Sequence, residues 1–157
     1  MGLSHEFVQM GNGPVKGISH IAIAVPSLDR AAGWVSLFPG QRTSRYRSES
    51  QGVEVLVIHT ASFDVEIMEP IDDHSKINGF LGKNPTGGIH HVCFYVESLQ
   101  AALDFASEHR VRKITLGSQT GIVHDSPVAF LNPRDLGGVL VEFEQVKSDY
   151  NTSGDHI

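Results

Sequence analysis

The sequence predicts an α+β fold built from two βαβββ modules in tandem, and three observations carry that prediction. The chain repeats itself. SHIAIAVPSLDRAAGW from Ser19 aligns with HHVCFYVESLQAALDF from His90, so that His20 matches His91, Val25 matches Val96, Ser27 matches Ser98, Leu28 matches Leu99 and Ala31 matches Ala102. Both copies also end alike, in VEIM from Val65 and VEFE from Val141. Each copy opens on a β-branched and aromatic run, followed by a serine of the kind that caps a helix. Finally, Gly40, Gly87–Gly88 and Gly137–Gly138 punctuate the units. The period is too long, and its copies too few, for a solenoid.

The elements follow in order. Each copy supplies a strand (about 18–25 and 89–96) and then a helix (about 28–38 and 99–109). Three further strands complete each copy, near 42–47, 52–58 and 63–68 in the first and near 112–116, 127–131 and 138–145 in the second. Module one then covers about 16–70 and module two about 87–146, joined by a linker over about 71–86 with a short helix around 77–81. The polar end, KSDYNTSGDHI over 147–157, reads as a frayed tail. The 157 residues make one domain, long enough to bury a core without staples.

Composition narrows the function. Hydrophobic content of 40% and charged content of 19% are ordinary for a globular protein. A net charge of −6 offers no broad basic surface, which argues against nucleic acid as a partner. A polyanionic small ligand needs only a local cluster such as Arg42, Arg45, Arg47 and Lys83, although such clusters are more often solvated faces. The single cysteine, Cys93, excludes an intrachain disulfide and a Cys-rich zinc site, and its place in an apolar strand reads as a buried, inert thiol. No apolar run approaches the roughly 18 residues that span a bilayer. The start, MGLSHEFVQMGNG, has neither the pattern of a secretory signal nor that of a myristoylation site. A cytoplasmic protein with no membrane partner is the expectation, with an organelle matrix open if a transit peptide has been left off the sequence.

Alternation sorts the strand faces. Ile21, Ile23 and Val25 share one face, as do Val92, Phe94 and Val96; Val65 with Ile67 and Val141 with Phe143 continue it. These sets are expected beneath the helices. The opposite faces carry His20, Ala22 and Ala24; His91, Cys93 and Tyr95; Glu66; and Glu142. Ionisable groups beside small neighbours suit a cleft. Alternation therefore makes His91 the site residue and sends His90 to the apolar side at the mouth of its strand.

Two imidazoles and two carboxylates, one pair per module, are suitable donors for a divalent metal. Carboxylates suit Mn²⁺ or Co²⁺ and imidazoles suit Zn²⁺, Ni²⁺ or Fe²⁺, so the identity of the ion stays open. A single His or Glu on a strand is usually structural or solvated. Four at matched repeat positions on one face argue for a site. His5, His59, His74, His109, His124 and His156 have no matched partner and are expected on the surface or in loops.

These residues carry a family resemblance. The twofold module resembles the vicinal-oxygen-chelate (glyoxalase/bleomycin-resistance) superfamily, whose paired βαβββ modules curl a mixed sheet into a cleft around a metal. Within it the chain resembles the methylmalonyl-CoA epimerases, on HIAIAVPSLDRAA from His20, SKINGFLGKNPTGGIHHVCFYV from Ser75 and PVAFLNPRDLGGVLVEFEQ from Pro127. FLGKNPTGGIHH and LNPRDLGGVLVE are the distinctive stretches. The resemblance, over about residues 16–146, implies a metal (Co, Mn, Ni or Zn) held by His20, Glu66, His91 and Glu142. It also implies an acyl-CoA thioester substrate and a homodimer.

The implied reaction interconverts the (R) and (S) forms of methylmalonyl-CoA by proton transfer at C2 through a metal-stabilised enolate. Inversion needs a proton carrier on each side of the carbon. Glu142 is implied as one, besides being a ligand. Glu54, after Gln51–Gly52–Val53, is the candidate for the other, provided its register points it into the cleft. The chain departs from the family at Val123-His124-Asp125-Ser126-Pro127, at Asn132 in FLNP and in the first helix, with Gly33-Trp34-Val35 and Phe38-Pro39-Gly40. A glyoxalase I acting on a glutathione hemithioacetal would use nearly the same ligands, but FLGKNPTGGIHH favours the epimerases. An extradiol dioxygenase would leave Glu66 without a reason. A non-catalytic binding protein of this fold would not need all four ligands.

Overall fold

The computed structural model describes residues 13–115 and 120–146. The first module comprises β1 (Val15–Ala24), a 3-10 turn (Leu28–Ala31) that runs into α1 (Ala32–Leu37), β2 (Arg42–Ser48), β3 (Val53–His59) and β4 (Asp64–Pro70). A short α2 (Asn78–Lys83) lies in the linker. The second comprises β5 (Gly88–Val96), α3 (Leu99–Glu108), β6 (Lys113–Ile114), β7 (Val128–Leu131) and β8 (Val141–Gln145). Among the described residues no helix is long and apolar enough to cross a membrane.

The eight strands of the described residues form one open mixed sheet in the order β2-β3-β4-β1-β5-β8-β7-β6. Each module pairs its first and last strands in parallel, β1 with β4 and β5 with β8. The modules join through the antiparallel β1–β5 pair at the centre of the sheet. The first strand of each copy is thus flanked by the last strand of its own copy and by its counterpart. That topology brings four repeat-equivalent strands together and places the expected site residues side by side.

The two faces sort as alternation predicts. On one, Ile23, Val25, Val65, Ile67 and Ile58 pack beneath the first helical segment, against Leu28, Ala31 and Trp34. Val96, Val141, Phe143 and Leu131 do the same beneath α3, against Ala102 and Ala106. On the other, Ala22 and Ala24 lie with Val53, Val55, Val57 and Met68. Ser98 caps α3, its Oγ accepting from Ala101 N at 3.3 Å. Ser27 accepts from Asp29 N, but its helix begins as a 3-10 turn and ends ahead of Pro39. Gly33 and β-branched Val35 weaken that short helix, and a helix rarely continues into the residue before proline.

The later strands of module two are shorter than predicted. β6 has two residues and β8 begins at Val141, after Gly137 and Gly138 turn the chain at φ +66° and +89°. Asn132 caps the 3-10 turn at Pro133–Asp135 by accepting from Arg134 N at 3.0 Å. Two other glycines hold the chain close to the site. A Cβ on Gly52 (φ +68°) would lie 2.8 Å from Ser75 Cα, and one on Gly87 (φ +91°) 2.5 Å from Ala24 O. Only glycine fits where two backbones approach so closely.

Candidate metal and active site

The site grows from the centre of the sheet. Ala22 of β1 is opposite Glu66 on β4 and His91 on β5, and Cys93 is opposite His20 on β1 and Glu142 on β8. Ala22 and Cys93 are fully buried and small, so they leave room above them for the four longer side chains. His20, Glu66, His91 and Glu142 all line one cavity of about 160 Å³. Val53, Ile77, Val128 and Phe130 supply its apolar wall, with Gln51 and Lys76 nearer solvent.

Three of the four converge. His20 Nε2 lies 3.2 Å from His91 Nε2, and His91 Nε2 lies 3.1 Å from Glu142 Oε2. Donor atoms of these three residues all fall within 4.8 Å of one another. Glu66 stands beside them, with Oε1 3.5 Å from the other nitrogen of His20, Nδ1.

Burial sets the protonation of the group. Removal from water holds His20 and His91 down at about 4, so both imidazoles are neutral at pH 7. Burial pushes Glu142 up to about 7. It raises Glu66 well above the usual carboxylate range, reinforced by the charge of Glu142. The Cys93 thiol is driven upward by burial and then by the same carboxylates, which keeps it protonated and inert as a nucleophile.

The donor set fits a divalent cation. Two neutral imidazoles bring Nε2 atoms to 3.2 Å, where two lone pairs repel unless a cation or proton lies between them. Buried carboxylates crowd the same space at a desolvation cost that a divalent charge would offset. His/Glu donors of this kind suit Zn²⁺, Co²⁺, Mn²⁺ or Ni²⁺ alike.

Glu54 is turned away from the cavity. The β3 pairing puts it on the helix side with Leu56 and Ile58, while Val53 and Val55 face the cleft. Its carboxylate lies 3.3 Å from Arg45 Nη1 and 3.6 Å from Arg47 Nη1. The one-residue register condition therefore fails, and Glu54 does not line the cavity that the other four share.

Alternation also fails for His90. A β-bulge turns this residue onto the cavity wall, where its ring meets Phe80 edge-on at 5.2 Å. Two further histidines are more deeply engaged than expected. His124, on the loop before β7, lies between modules: Nε2 is 3.6 Å from Asp64 Oδ2 and Nδ1 2.9 Å from Glu144 Oε1. The hydrogen bonds to Asp64 and Glu144 push it up to about 10. His59 bonds Asp64 and Ser44 in a half-buried setting. His74 and His109 are exposed as expected, and His5 and His156 lie outside the described residues.

Sequence reasoning missed Glu144, although a signal was present: in VEFE it stands two residues from Glu142 and so shares its face. Glu144 is 1% exposed and accepts from the Ser19 hydroxyl at 2.5 Å as well as bonding His124. Burial works against its ionisation, but the His124 hydrogen bond and charge outweigh that and hold it below the ordinary range.

Comparison with known proteins places this geometry. Residues 19–130 match the glyoxalase/bleomycin resistance protein/dioxygenase superfamily. The chain is 41% identical over 130 residues to the ethylmalonyl-CoA/methylmalonyl-CoA epimerase of Cereibacter sphaeroides, covering 82% of this chain and 97% of that one. It is 37% identical over 129 residues to human mitochondrial methylmalonyl-CoA epimerase, covering 82% and 73%. The chain belongs to the methylmalonyl-CoA epimerase family of this superfamily. A structure of an epimerase of the same family, a Streptomyces coelicolor variant in complex with 2-nitronate-propionyl-CoA, superimposes with a TM-score of 0.72 at 26% identity, covering 85% and 96%. Membership of the epimerase family agrees with the glyoxalase-like sheet, and the site differs from the expected constellation chiefly at Glu54.

Proposed function

We propose that the chain is a metal-dependent epimerase that interconverts the (R) and (S) forms of methylmalonyl-CoA by moving the proton at C2. The observation that carries this reading is the convergence of His20, His91 and Glu142 from repeat-equivalent strands in one buried cavity, within a chain of the epimerase family. His20, His91 and Glu142 would hold the cation, with Glu66 as the fourth donor. When bound, a divalent cation supplies Lewis-acid stabilisation of the negative charge that develops on the substrate's oxygens, a contribution of several kcal/mol.

The side chains do the rest. His20 and His91 bind as neutral imidazoles, because burial opposes their protonation. Glu142, held at about 7, sits in the range where one carboxyl both takes a proton and gives it back. Val53, Ile77, Val128 and Phe130 keep water from the reacting carbon, which strengthens every charge interaction there. Glu54 has no part in the chemistry, so the second proton carrier is another group on the cavity wall. A second, more open cavity shares Val123 and His124 with the first and is lined by Arg42. We assign it to the CoA moiety, with Arg42 toward phosphate. A homodimer belongs to the same reading, supported by the exposure of Val15, Ile18 and Ile89 on the two central strands.

Proton NMR of methylmalonyl-CoA in D₂O tests the proposal. Deuterium entry at C2 that needs the protein and is abolished by a chelator is the expected result. No exchange by protein with bound metal would discard this substrate.

A further inference from the structure

Each of the two cavity histidines is bonded at Nδ1 by the residue that precedes it in the chain. Ser19 Oγ lies 3.1 Å from His20 Nδ1, and His90 Nδ1 lies 2.9 Å from His91 Nδ1. Consecutive residues of a regular strand point to opposite faces and cannot do this. Two bulges make it possible. The β1–β5 pairing steps from Ile18↔Phe94 to His20↔Cys93, so Ser19 is an extra residue on β1. It steps again from Ala22↔His91 to Ile23↔Ile89, so His90 is an extra residue on β5. A bulge re-aims the side chain at the extra residue. Ser19 and His90 are also equivalent positions of the internal repeat. The same device therefore occurs once per module, one residue ahead of each histidine.

We propose that Ser19 and His90 are paired positioning residues that fix His20 and His91 as Nδ1–H tautomers, so that both present Nε2 to one cation. The inference rests on the metal-dependent reading above. For His20, hydrogen counting decides the tautomer. The one Ser19 proton points to Glu144 Oε2, 2.5 Å away, and the other oxygen of Glu144 is bonded to His124. Ser19 Oγ must then accept, which makes His20 Nδ1 the donor and leaves a lone pair on Nε2. For His91, the contact between two Nδ1 atoms needs one donor and one acceptor. With His91 donating, its Nε2 lone pair joins that of His20 beside Glu142 Oε2. His90 is the acceptor, its ring steadied by Phe80. Neighbours of this kind orient metal-binding imidazoles and set which nitrogen binds.

Calorimetric titration of the full-length protein with Zn²⁺ tests the pairing. Ser19→Ala and His90→Leu should each weaken Zn²⁺ binding about 10–100-fold, whereas Ser19→Thr and His90→Asn, which keep an acceptor oxygen, should stay within about threefold of the parent. Unchanged affinity in the Ala and Leu variants would overturn the proposal. Long-range ¹H–¹⁵N NMR of the Zn²⁺-loaded parent needs no variant that must fold. Protons on both Nδ1 atoms are expected, and zinc bound through Nδ1 of either histidine would refute the assignment. Failure of the parent to bind Zn²⁺ would overturn this proposal and the metal-dependent reading together. The expected affinities and tautomers, without deuterium entry into methylmalonyl-CoA, would uphold the positioning role and remove only the substrate.

Discussion

The two modules agree at their first strands and diverge at their outer ones. β2 and β3 of module one are seven residues each and pair along their full length. Their counterparts in module two, β6 and β7, have two and four. Chain that module one spends on ladder becomes, in module two, a loop that carries Ile122, Val123 and His124 over the cavity. Glu66 and Glu142, equivalent in the repeat, also differ. Glu142 meets His91, whereas Glu66 meets the far nitrogen of His20. Duplication supplies matched donors. The shortened hairpin supplies the asymmetry that closes the site and ties the modules together through His124.

The sharpest way to break this comparison is to change the two carboxylates separately. Glu142→Gln removes the proposed proton carrier and leaves only a neutral oxygen in place of a charged donor, so turnover of methylmalonyl-CoA should fall about 10²–10⁴-fold. Glu66→Gln should act mainly through the metal, weakening its binding about 10–100-fold while added metal restores part of the rate. Equal losses that added metal leaves untouched would show that the two positions play the same part.

His124 tests the link between modules. Replacing it with Gln should cost about 1–3 kcal/mol of unfolding free energy near neutrality, by leaving Asp64 and Glu144 under-bonded. Its folded pKa is raised from 6.5 to about 10, so its contribution is complete below pH 6.5 and lost as pH rises through about 10. Chemical denaturation with a chelator present should therefore show the gap between parent and variant closing from pH 7 toward pH 10. A gap that stays constant over that interval would contradict the charged bridge. His20, His90 and His91 predict an opposite slope. All three are held at about 4 against 6.5 when unfolded, so the parent should lose stability as pH falls from 6.5 toward 4. The smallest effect is expected from Glu54→Gln. This part-exposed partner of Arg45 and Arg47 should change stability by no more than about 0.5 kcal/mol and turnover by less than about twofold. A large loss of rate would return Glu54 to the site.

Much of this molecule was legible in one dimension because it is a repeat. Period-two alternation put His20, His91, Glu66 and Glu142 on one face, and the parallel pairs β1–β4 and β5–β8 bring those faces together. The same rule misplaced His90, because a bulge breaks the period and alternation has no term for an extra residue. It could not decide Glu54, because one step of register turns a side chain to the opposite face.

What the sequence determined by itself is therefore the module, its duplication and the identity of the cavity face, all of which follow from local periodicity. Tertiary structure decided the rest. Pairing between β1 and β5 created the bulges that aim Ser19 and His90 at the site. Packing of the loop before β7 brought His124 between Asp64, sixty residues earlier, and Glu144, twenty residues later. Such contacts depend on strand register and on chain-distant partners, and no local pattern of residues encodes either.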